Sequence, residues 1–206
     1  MQMRHLILIA TAVLSVIYLE TDMQFQSSTR PVIPKPTILI DSNEQQPWEF
    51  TLLPTVRASL SFGDYAISAS GRVDDPLVLI ARVERKNRED AIGSIANYHQ
   101  AKQQGTSEKG RIIRTLQGLR GFPHRLLVLE ADASWIASGD WHSDKIKPNH
   151  VWGTLASWCV AYDIPVWCGS NPACCAAFVE RWFNQVARHV CARYAAAADC
   201  VRGLDG

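Results

Sequence analysis

The chain has 206 residues, of which 47% are hydrophobic and 20% are charged. This length and composition fit one globular domain with appendages, and they exclude a disordered or a collagen-like chain. Lysine and arginine together number 21, against 20 for aspartate and glutamate. The net charge of +1 therefore gives no global sign of a polyanionic partner, and any such signal must be local.

The N-terminal end carries an uninterrupted apolar run at residues 6–19, preceded by Arg4. The run is shorter than the ~20 residues that a membrane-spanning helix needs. It resembles a signal-peptide core, but residues 20–23 offer no small-residue cleavage site. We expect residues 1–36 to be an apolar segment and linker outside the native fold, with no signal peptide and no stable membrane association. A secreted or membrane-tethered protein is the alternative.

Strand and helix patterns alternate along the rest of the chain. Strands are predicted at residues 37–41, 57–62, 65–70, 77–84, 125–129 and 164–167. Helices are predicted at residues 88–103 and 110–119, from Pro148 onward, and after the capping pair Asn171-Pro172. The run at 77–84 is apolar on both sides, as in a central strand buried on both faces.

This alternation predicts an α/β fold, a three-layer α/β/α sandwich with a central mixed sheet. We place the domain at residues 37–194 and a tail at 195–206. The six cysteines all lie in the last quarter of the chain without a CxxC pair, so we expect small buried thiols rather than a zinc site.

Two carboxylates and a lysine are predicted to converge at one end of a hairpin. If residues 65–70 and 77–84 pair as antiparallel strands with a turn within 71–76, residues whose numbers sum to 148 face each other. Asp64 and Glu84 meet this condition. Because side chains alternate along a strand, Lys86 shares the face of Glu84 while Arg85 points away.

Such a group suits the hydrolysis of phosphodiester bonds. Carboxylate oxygens are the ligands that Mg²⁺ prefers, and a neighbouring lysine can orient or deprotonate an attacking water. Spacing alone also allows a structural interpretation, in which Asp64 is a turn residue and Glu84 with Lys86 is a solvated cross-strand pair.

Three short motifs surround these residues in a fixed order. Residues 40–44 read IDSNE, residues 63–65 read GDY, and residues 83–90 read VERKNRED. They resemble the signature of the nuclease domain of the XPF/Mus family of structure-specific endonucleases, which is VDxRE, then GDY, then VERKxxxD. The third motif matches at every specified position. The resemblance covers residues 37–130, with a weaker match through 148–167.

The resemblance implies a restriction-endonuclease-like fold of the PD-(D/E)xK type and a metal-dependent DNA endonuclease. The implied cofactor is Mg²⁺, for which Mn²⁺ can substitute, and no small-molecule cofactor is expected. The implied substrate is branched or flapped DNA in repair, recombination or mobile-element and phage DNA processing. A homodimer or heterodimer is expected, in the cytoplasm and at the nucleoid if the chain is bacterial or phage-encoded.

Roles for the acidic residues and the lysine follow from matching positions. The resemblance implies that Asp64 and Glu84 hold the metal and that Lys86 serves the nucleophile. It also implies that Asp41 and Glu44 add catalytic carboxylates at the rim of the site.

Two further residues of the third motif receive a catalytic role from the resemblance, each with an alternative. Arg85 would contact phosphate or lock the hydrogen bonds of the site. Asp90 would complete the catalytic group from the first turn of a helix. Because Asn87-x-x-Asp90 also fits a variant capping box, Asp90 can instead, or in addition, be a helix cap.

The chain departs from the family pattern at two places. Asn43 stands where VDxRE has its arginine, and Arg57 and Arg82 are candidates to replace that guanidinium. The tandem helix-hairpin-helix modules that the family usually carries are not found in the sequence. A catalytically silent DNA-binding partner subunit of a nuclease complex is therefore the competing hypothesis, although the intact third motif argues against it.

Local charge modestly favours a nucleic-acid face. Between residues 82 and 125, ten basic residues stand against four acidic ones, a local charge of +6. Such a patch attracts phosphates in a salt-dependent way, although it can equally be a solvated face. The expected DNA contacts are Arg85, Arg88, Arg111 and Arg114.

Overall fold

The computed structural model of the protein describes residues 35–105, 110–143 and 145–202, with side chains as far as residue 195. The apolar run at 6–19 and the linker expected to follow it, as far as residue 34, lie outside the described residues. The strands are β1 (Thr37–Asp41), β2 (Thr55–Ala58), β3 (Tyr65–Ser68), β4 (Ala81–Lys86), β5 (His124–Leu129) and β6 (Val166–Cys168). The α-helices are α1 (Arg88–Gln103), α2 (Arg111–Leu119), α3 (Ala133–Ser138), α4 (Pro148–Tyr162) and α5 (Pro172–Arg202).

The strands form one mixed sheet in the order β2-β1-β3-β4-β5-β6. Strand β3 runs antiparallel to both of its neighbours, whereas β2 is parallel to β1, and β4, β5 and β6 are parallel to one another. The carboxyl ends of β1, β4, β5 and β6 therefore meet the amino end of β3 at one edge of the sheet.

Apolar side chains cover both faces of the sheet. On one face, residues of helices α1 to α4 pack against Leu127 and Leu129 of β5. On the other face, helix α5 packs through Val179 and Phe183 against Tyr65 and neighbouring strand residues. We call these the groove face and the α5 face. The three-layer α/β/α sandwich with a mixed sheet, predicted from the sequence, is confirmed.

The strand predicted at 77–84 is shorter than expected, because Pro76–Leu79 form a 3-10 helix before β4 begins. The Asp75 carboxylate accepts hydrogen bonds from the backbone N–H groups of Leu77 at 2.9 Å and Ser70 at 2.8 Å. This acceptor and Pro76 favour a tight turn, since proline fixes φ and lacks a donor. The apolar side chains remain partly buried, so hydrophobicity alone could not distinguish this turn from a strand.

The sequence prediction also missed helix α3 and the start of β2. Helix α3 begins at the N-cap Asp132, whose carboxylate accepts from the Trp135 N–H at 2.8 Å, and it ends at Gly139 with φ +68°. Strand β2 lies at Thr55–Ala58 rather than 57–62, at the exposed edge of the sheet.

Helix α5 continues to Arg202, through most of the segment expected to be a tail. Among the described residues, no helix combines the length and the hydropathy that crossing a membrane requires. The five cysteines with described side chains are free, and they range from buried Cys175 to exposed Cys174.

Candidate active site

The β3–β4 hairpin sets the register of the candidate site. Tyr65 lies opposite Val83 and Ala66 lies opposite Arg82, so paired residue numbers sum to 148 as the sequence predicted. Asp64 directly precedes this paired region, and its N–H donates to the Val83 carbonyl oxygen at 2.8 Å. Asp64 and Glu84 therefore lie next to each other at the edge where the strands end.

Gly63 is what allows Asp64 to approach β4 so closely. Its φ of +70° lies in the left-handed region, which L side chains rarely adopt. A Cβ atom at this position would lie 2.7 Å from Arg82 Cγ and 2.8 Å from the Val83 carbonyl oxygen. The glycine of the GDY motif thus meets both a backbone and a packing requirement.

Asp64 has a strongly perturbed carboxyl group. Burial and the neighbouring Glu84 carboxylate raise its pKa from 3.8 to about 7. The Arg85 backbone N–H, which donates to Asp64 Oδ2 at 2.6 Å, and the charge of Lys86 oppose this rise in pKa. The Asp64 and Glu84 carboxylates therefore repel each other, and a bound cation would reduce this repulsion.

Glu84 and Lys86 lie together, as predicted from the alternation of side chains. Lys86 Nζ forms an ion pair with Glu84 Oε1, and the two side chains are 16% and 8% exposed. Lys86 also lines a groove of about 260 Å³ between helices α1 and α2, together with Asp90 and Arg111. The ammonium group thus lies where a substrate in the groove could reach it.

Arg85 points to the α5 face, away from Glu84 and Lys86. Its Nε donates to Glu130 Oε1 at 2.7 Å and its Nη1 donates to Glu44 Oε1 at 3.1 Å. Glu44, expected at the rim of the catalytic site, is therefore paired with Arg85. Its charge still contributes, as the last of several causes, to the raised pKa of Asp64.

Asp41 and Asp90 lie near the site in different ways. The Asp41 N–H donates to the Asp64 carbonyl oxygen at 2.8 Å, while its largely buried carboxylate accepts from the Leu60 N–H at 3.0 Å. Asp41 therefore fixes the chain after β2 as well as the position of Asp64. The Asp90 N–H donates to Asn87 Oδ1 at 2.8 Å, and the exposed Asp90 side chain lines the groove. Asn87 is therefore the N-cap of helix α1 and Asp90 the residue whose N–H it caps, while the Asp90 carboxylate lines the same groove as Lys86.

The expected DNA-contacting arginines differ in accessibility. Arg111 and Arg114 are exposed on helix α2, and Arg111 lines the groove. Arg88 is half-buried at the start of helix α1, where its Nε donates to the Glu130 carbonyl oxygen at 3.2 Å and its guanidinium lies over the Trp135 ring. Arg85 is also enclosed, with a side chain only 10% exposed.

The two candidates to replace the arginine missing at Asn43 behave differently. Arg57 Nη1 donates to the Glu44 carbonyl oxygen at 2.6 Å, so Arg57 braces the first motif through its backbone. Arg82 is 2% exposed and lies 4.4 Å from the centroid of the Phe122 ring. Burial lowers the pKa of Arg82 to about 10.

Glu130 is a site residue that sequence reasoning missed. It directly follows β5, is 6% exposed, and accepts hydrogen bonds from Arg85 and from Trp48 Nε1. A carboxylate immediately after a buried run at the end of a parallel strand was the available signal. Its partner Arg85 lies 45 positions earlier, which no local pattern indicates.

The donor set fits a magnesium-like cation. In the described portion of the chain, no group of three or more histidine, cysteine, aspartate or glutamate side chains is placed to hold a metal. Mg²⁺ keeps several waters and is commonly bound through one or two carboxylates. Asp64 and Glu84 supply two and would hold the ion, since their mutual repulsion favours the binding of a cation.

Comparison with known proteins gives a family match and a set of similar solved structures, among them two of XPF. A family model described as the ERCC4 domain matches residues 33–181. XPF from Aeropyrum pernix is similar with a TM-score of 0.47 and 14% identity, over 75% of this chain and 61% of that chain. XPF from Aeropyrum pernix in complex with DNA gives 0.48 and 14%, over 75% and 66%. The chain thus spans somewhat under two thirds of either chain, and no curated protein sequence matches it significantly.

Proposed function

This chain belongs to the ERCC4 domain family, and on that premise we propose that it is a divalent-metal-dependent DNA endonuclease that hydrolyses phosphodiester bonds. Family membership confirms the resemblance to the XPF/Mus nuclease domain, and the mixed-sheet sandwich is its restriction-endonuclease-like fold. The observation that carries the proposal is the convergence of Asp64, Glu84 and Lys86 at one edge of the sheet.

Asp64 and Glu84 are the residues that would hold the cation, with Mg²⁺ as the proposed ion and Mn²⁺ as its substitute. When bound, a divalent cation stabilises the negative charge that develops on the scissile phosphate. Asp64 is held for this role by the Arg85 N–H at one oxygen. That hydrogen bond to the backbone fixes the carboxylate before any ligand arrives.

Lys86 is proposed to act on the attacking water. Its ammonium is oriented by Glu84 and borders the groove, so its N–H donors can hold a water or a phosphate oxygen at the rim. Asp90, exposed in the same groove, is proposed to accept a proton or a hydrogen bond from that water. Asp41 and Glu44 are proposed to support the site by holding Asp64 and Arg85 rather than by contacting substrate.

The proposed substrate is DNA that enters along the groove between helices α1 and α2. Arg111 lies in this groove, and Arg114 lies one turn further along helix α2. We propose branched or flapped DNA as the preferred shape, in repair, recombination or mobile-element DNA processing. A homodimer or heterodimer is proposed to supply additional contacts with the duplex.

Cleavage of labelled DNA tests the proposal. Duplex, single-stranded, flap and fork substrates are incubated with the protein and either Mg²⁺ or Mn²⁺, beside Asp64→Ala and Lys86→Ala. Lys35→Ala is the matched control, because Lys35 is exposed at the opposite end of β1 from the site. We expect metal-dependent cutting by the wild type and the control and its loss in both site variants. DNA binding without any cutting would instead favour the silent partner subunit.

A further inference from the structure

The side chain of Arg85 is committed to protein oxygens on the α5 face. Nε and Nη2 donate to the two oxygens of Glu130 at 2.7 and 3.3 Å, and Nη1 donates to Glu44 Oε1 at 3.1 Å and to the Gln46 carbonyl oxygen at 2.5 Å. The guanidinium also lies 5.6 Å from the centroid of the Trp48 ring. All three guanidinium nitrogens are therefore engaged away from the groove.

The backbone of the same residue serves the metal site. The Arg85 N–H donates to Asp64 Oδ2 at 2.6 Å, which makes Arg85 the link between the α5 face and the carboxylate pair. Four hydrogen bonds anchor the guanidinium, and this anchoring restricts the positions open to the Arg85 backbone at the end of β4, where its N–H meets Asp64.

Glu130 fixes the end of β4 in two ways. Its N–H donates to the Lys86 carbonyl oxygen at 2.9 Å, and its carboxylate accepts two hydrogen bonds from the Arg85 guanidinium. Trp48 Nε1 donates to the same carboxylate, so Glu130 is itself held in place. Both partners of the ion pair are nearly buried, with side-chain exposures of 10% and 7%.

We propose that Glu130 is a positioning residue that clamps Arg85, so that the Arg85 N–H stays on Asp64 and the guanidinium stays away from the scissile phosphate. The inference rests on the proposed nuclease function and deepens it. It assigns Arg85 to the locking of hydrogen bonds in the site rather than to phosphate contact. The Arg85–Glu130 pair is hereafter called the clamp.

Glu130→Gln is the direct test, because the amide keeps the size of the side chain but places N–H donors against the guanidinium. Glu180→Gln is the matched control. Glu180 is 2% exposed and accepts from the N–H groups of Leu52 and Leu53 at 2.6 and 2.8 Å, on the same face of the sheet but away from the carboxylate pair. Both variants lose one buried, hydrogen-bonded carboxylate, so Glu180→Gln controls for that loss at a position remote from Arg85.

Two measurements on metal-free protein separate positioning from folding. The first is the exchange rate of the Arg85 amide proton by NMR, which we expect to rise about tenfold in Glu130→Gln and to stay unchanged in Glu180→Gln. The second is Mn²⁺ binding by titration calorimetry, in which we expect Kd to rise about tenfold in Glu130→Gln alone. DNA affinity measured without divalent metal should be the same for all three proteins.

A double variant keeps the test valid if Glu130→Gln does not fold. Replacing the pair by Arg85→Met and Glu130→Leu removes both charges, and apolar substitution of a whole buried ion pair often preserves stability. We expect this protein to fold and still to bind Mn²⁺ about tenfold more weakly than the wild type. Wild-type Mn²⁺ affinity in the double variant would show that the clamp is structural only, and would overturn the inference.

Amide exchange, DNA binding and cleavage can each support or overturn the proposed role of Glu130. Unchanged Arg85 amide exchange in Glu130→Gln would overturn the inference even if the wild type cuts DNA. Loss of DNA affinity in Arg85→Met, as large as in Arg111→Ala and with Mn²⁺ binding intact, would assign Arg85 to phosphate instead. If the wild type cuts no DNA but amide exchange and Mn²⁺ binding change as expected, the clamp is supported and the proposed nuclease function fails separately.

Discussion

Asp64 lowers the stability of the metal-free protein near neutral pH, because its carboxyl group is buried beside Glu84. Its pKa in the folded protein is about 7, against 3.8 for an ordinary aspartate. As pH rises from about 4 to about 7, the unfolded chain releases this proton before the folded protein does, so the free energy of unfolding falls. Well below pH 3.8 the group is protonated in both states and makes no difference.

Asp64→Asn should therefore stabilise the metal-free protein at pH 8. The amide oxygen can still accept from the Arg85 N–H, while the repulsion with Glu84 is removed. One pKa unit corresponds to about 1.4 kcal/mol, and allowing for solvent screening we expect a gain on the order of 1 to 3 kcal/mol at pH 8 and only a small part of that gain at pH 4. Urea unfolding at both pH values measures this. An equal or lower stability of the variant at pH 8 would contradict it.

Several roles at this scale were predictable from the sequence, and others were not. The proximity of Asp64 to Glu84 and the shared face of Glu84 and Lys86 follow from strand alternation and a residue count. Glu130 could not be found in this way, because its partners Arg85 and Trp48 reach it only after the sheet has formed. Whether Arg85 contacts phosphate or locks the hydrogen bonds of the site likewise depends on tertiary contacts, which the sequence does not show.

At the scale of elements, the β3–β4 hairpin shows why a register can be correct when a boundary is wrong. The predicted strand began at residue 77, whereas β4 begins at Ala81 after a 3-10 helix. The register was nevertheless correct because the connection between β3 and β4, residues 69–80, has nearly the same centre as the turn predicted within 71–76. Turn chemistry at Asp75, not hydrophobicity, decides that connection.

Gly63→Ala should damage this hairpin end specifically. The methyl group meets Arg82 Cγ and the Val83 carbonyl oxygen below 3.0 Å, and φ is +70°. We expect a loss of about 1 to 3 kcal/mol in stability, measured by urea unfolding, together with weaker Mn²⁺ binding as Asp64 is displaced.

Gly153→Ala is the matched control, because this glycine lies within helix α4 and a Cβ atom there meets nothing within 4 Å. Alanine at an open helical position should be neutral or stabilising by about 0.5 to 1 kcal/mol. If both alanine variants had the same stability as the wild type, the proposed role of Gly63 would be wrong.

At the scale of the whole molecule, the two faces of the sheet carry different tasks. Both faces carry an apolar cluster, but the groove face also presents Lys86, Asp90 and Arg111, whereas the α5 face also holds the clamp. The layer architecture was predictable because strands and helices alternate in the sequence. The groove could not be predicted from the sequence, because it depends on how helices α1 and α2 pack against each other.

Arg111→Ala should weaken DNA binding, whereas Arg181→Ala should not. Both arginines are exposed, but Arg181 lies on helix α5, on the opposite face of the sheet from the groove. Losing one phosphate contact should lower affinity several-fold and reduce the slope of log K against log salt by about 1. Fluorescence anisotropy at several salt concentrations measures both. Equal effects of the two substitutions would show that the groove does not receive the DNA.

The group formed by Asp64, Glu84 and Lys86 is proposed to hydrolyse DNA. Single-turnover cleavage of a labelled flap substrate, at saturating protein and with Mg²⁺ added last, is the decisive test of this proposal. We expect the wild type to cut only after Mg²⁺ is added, and Asp64→Asn and Lys86→Met to bind the same DNA but cut at least about 100-fold more slowly. Cleavage by both variants at the wild-type rate would contradict the claim.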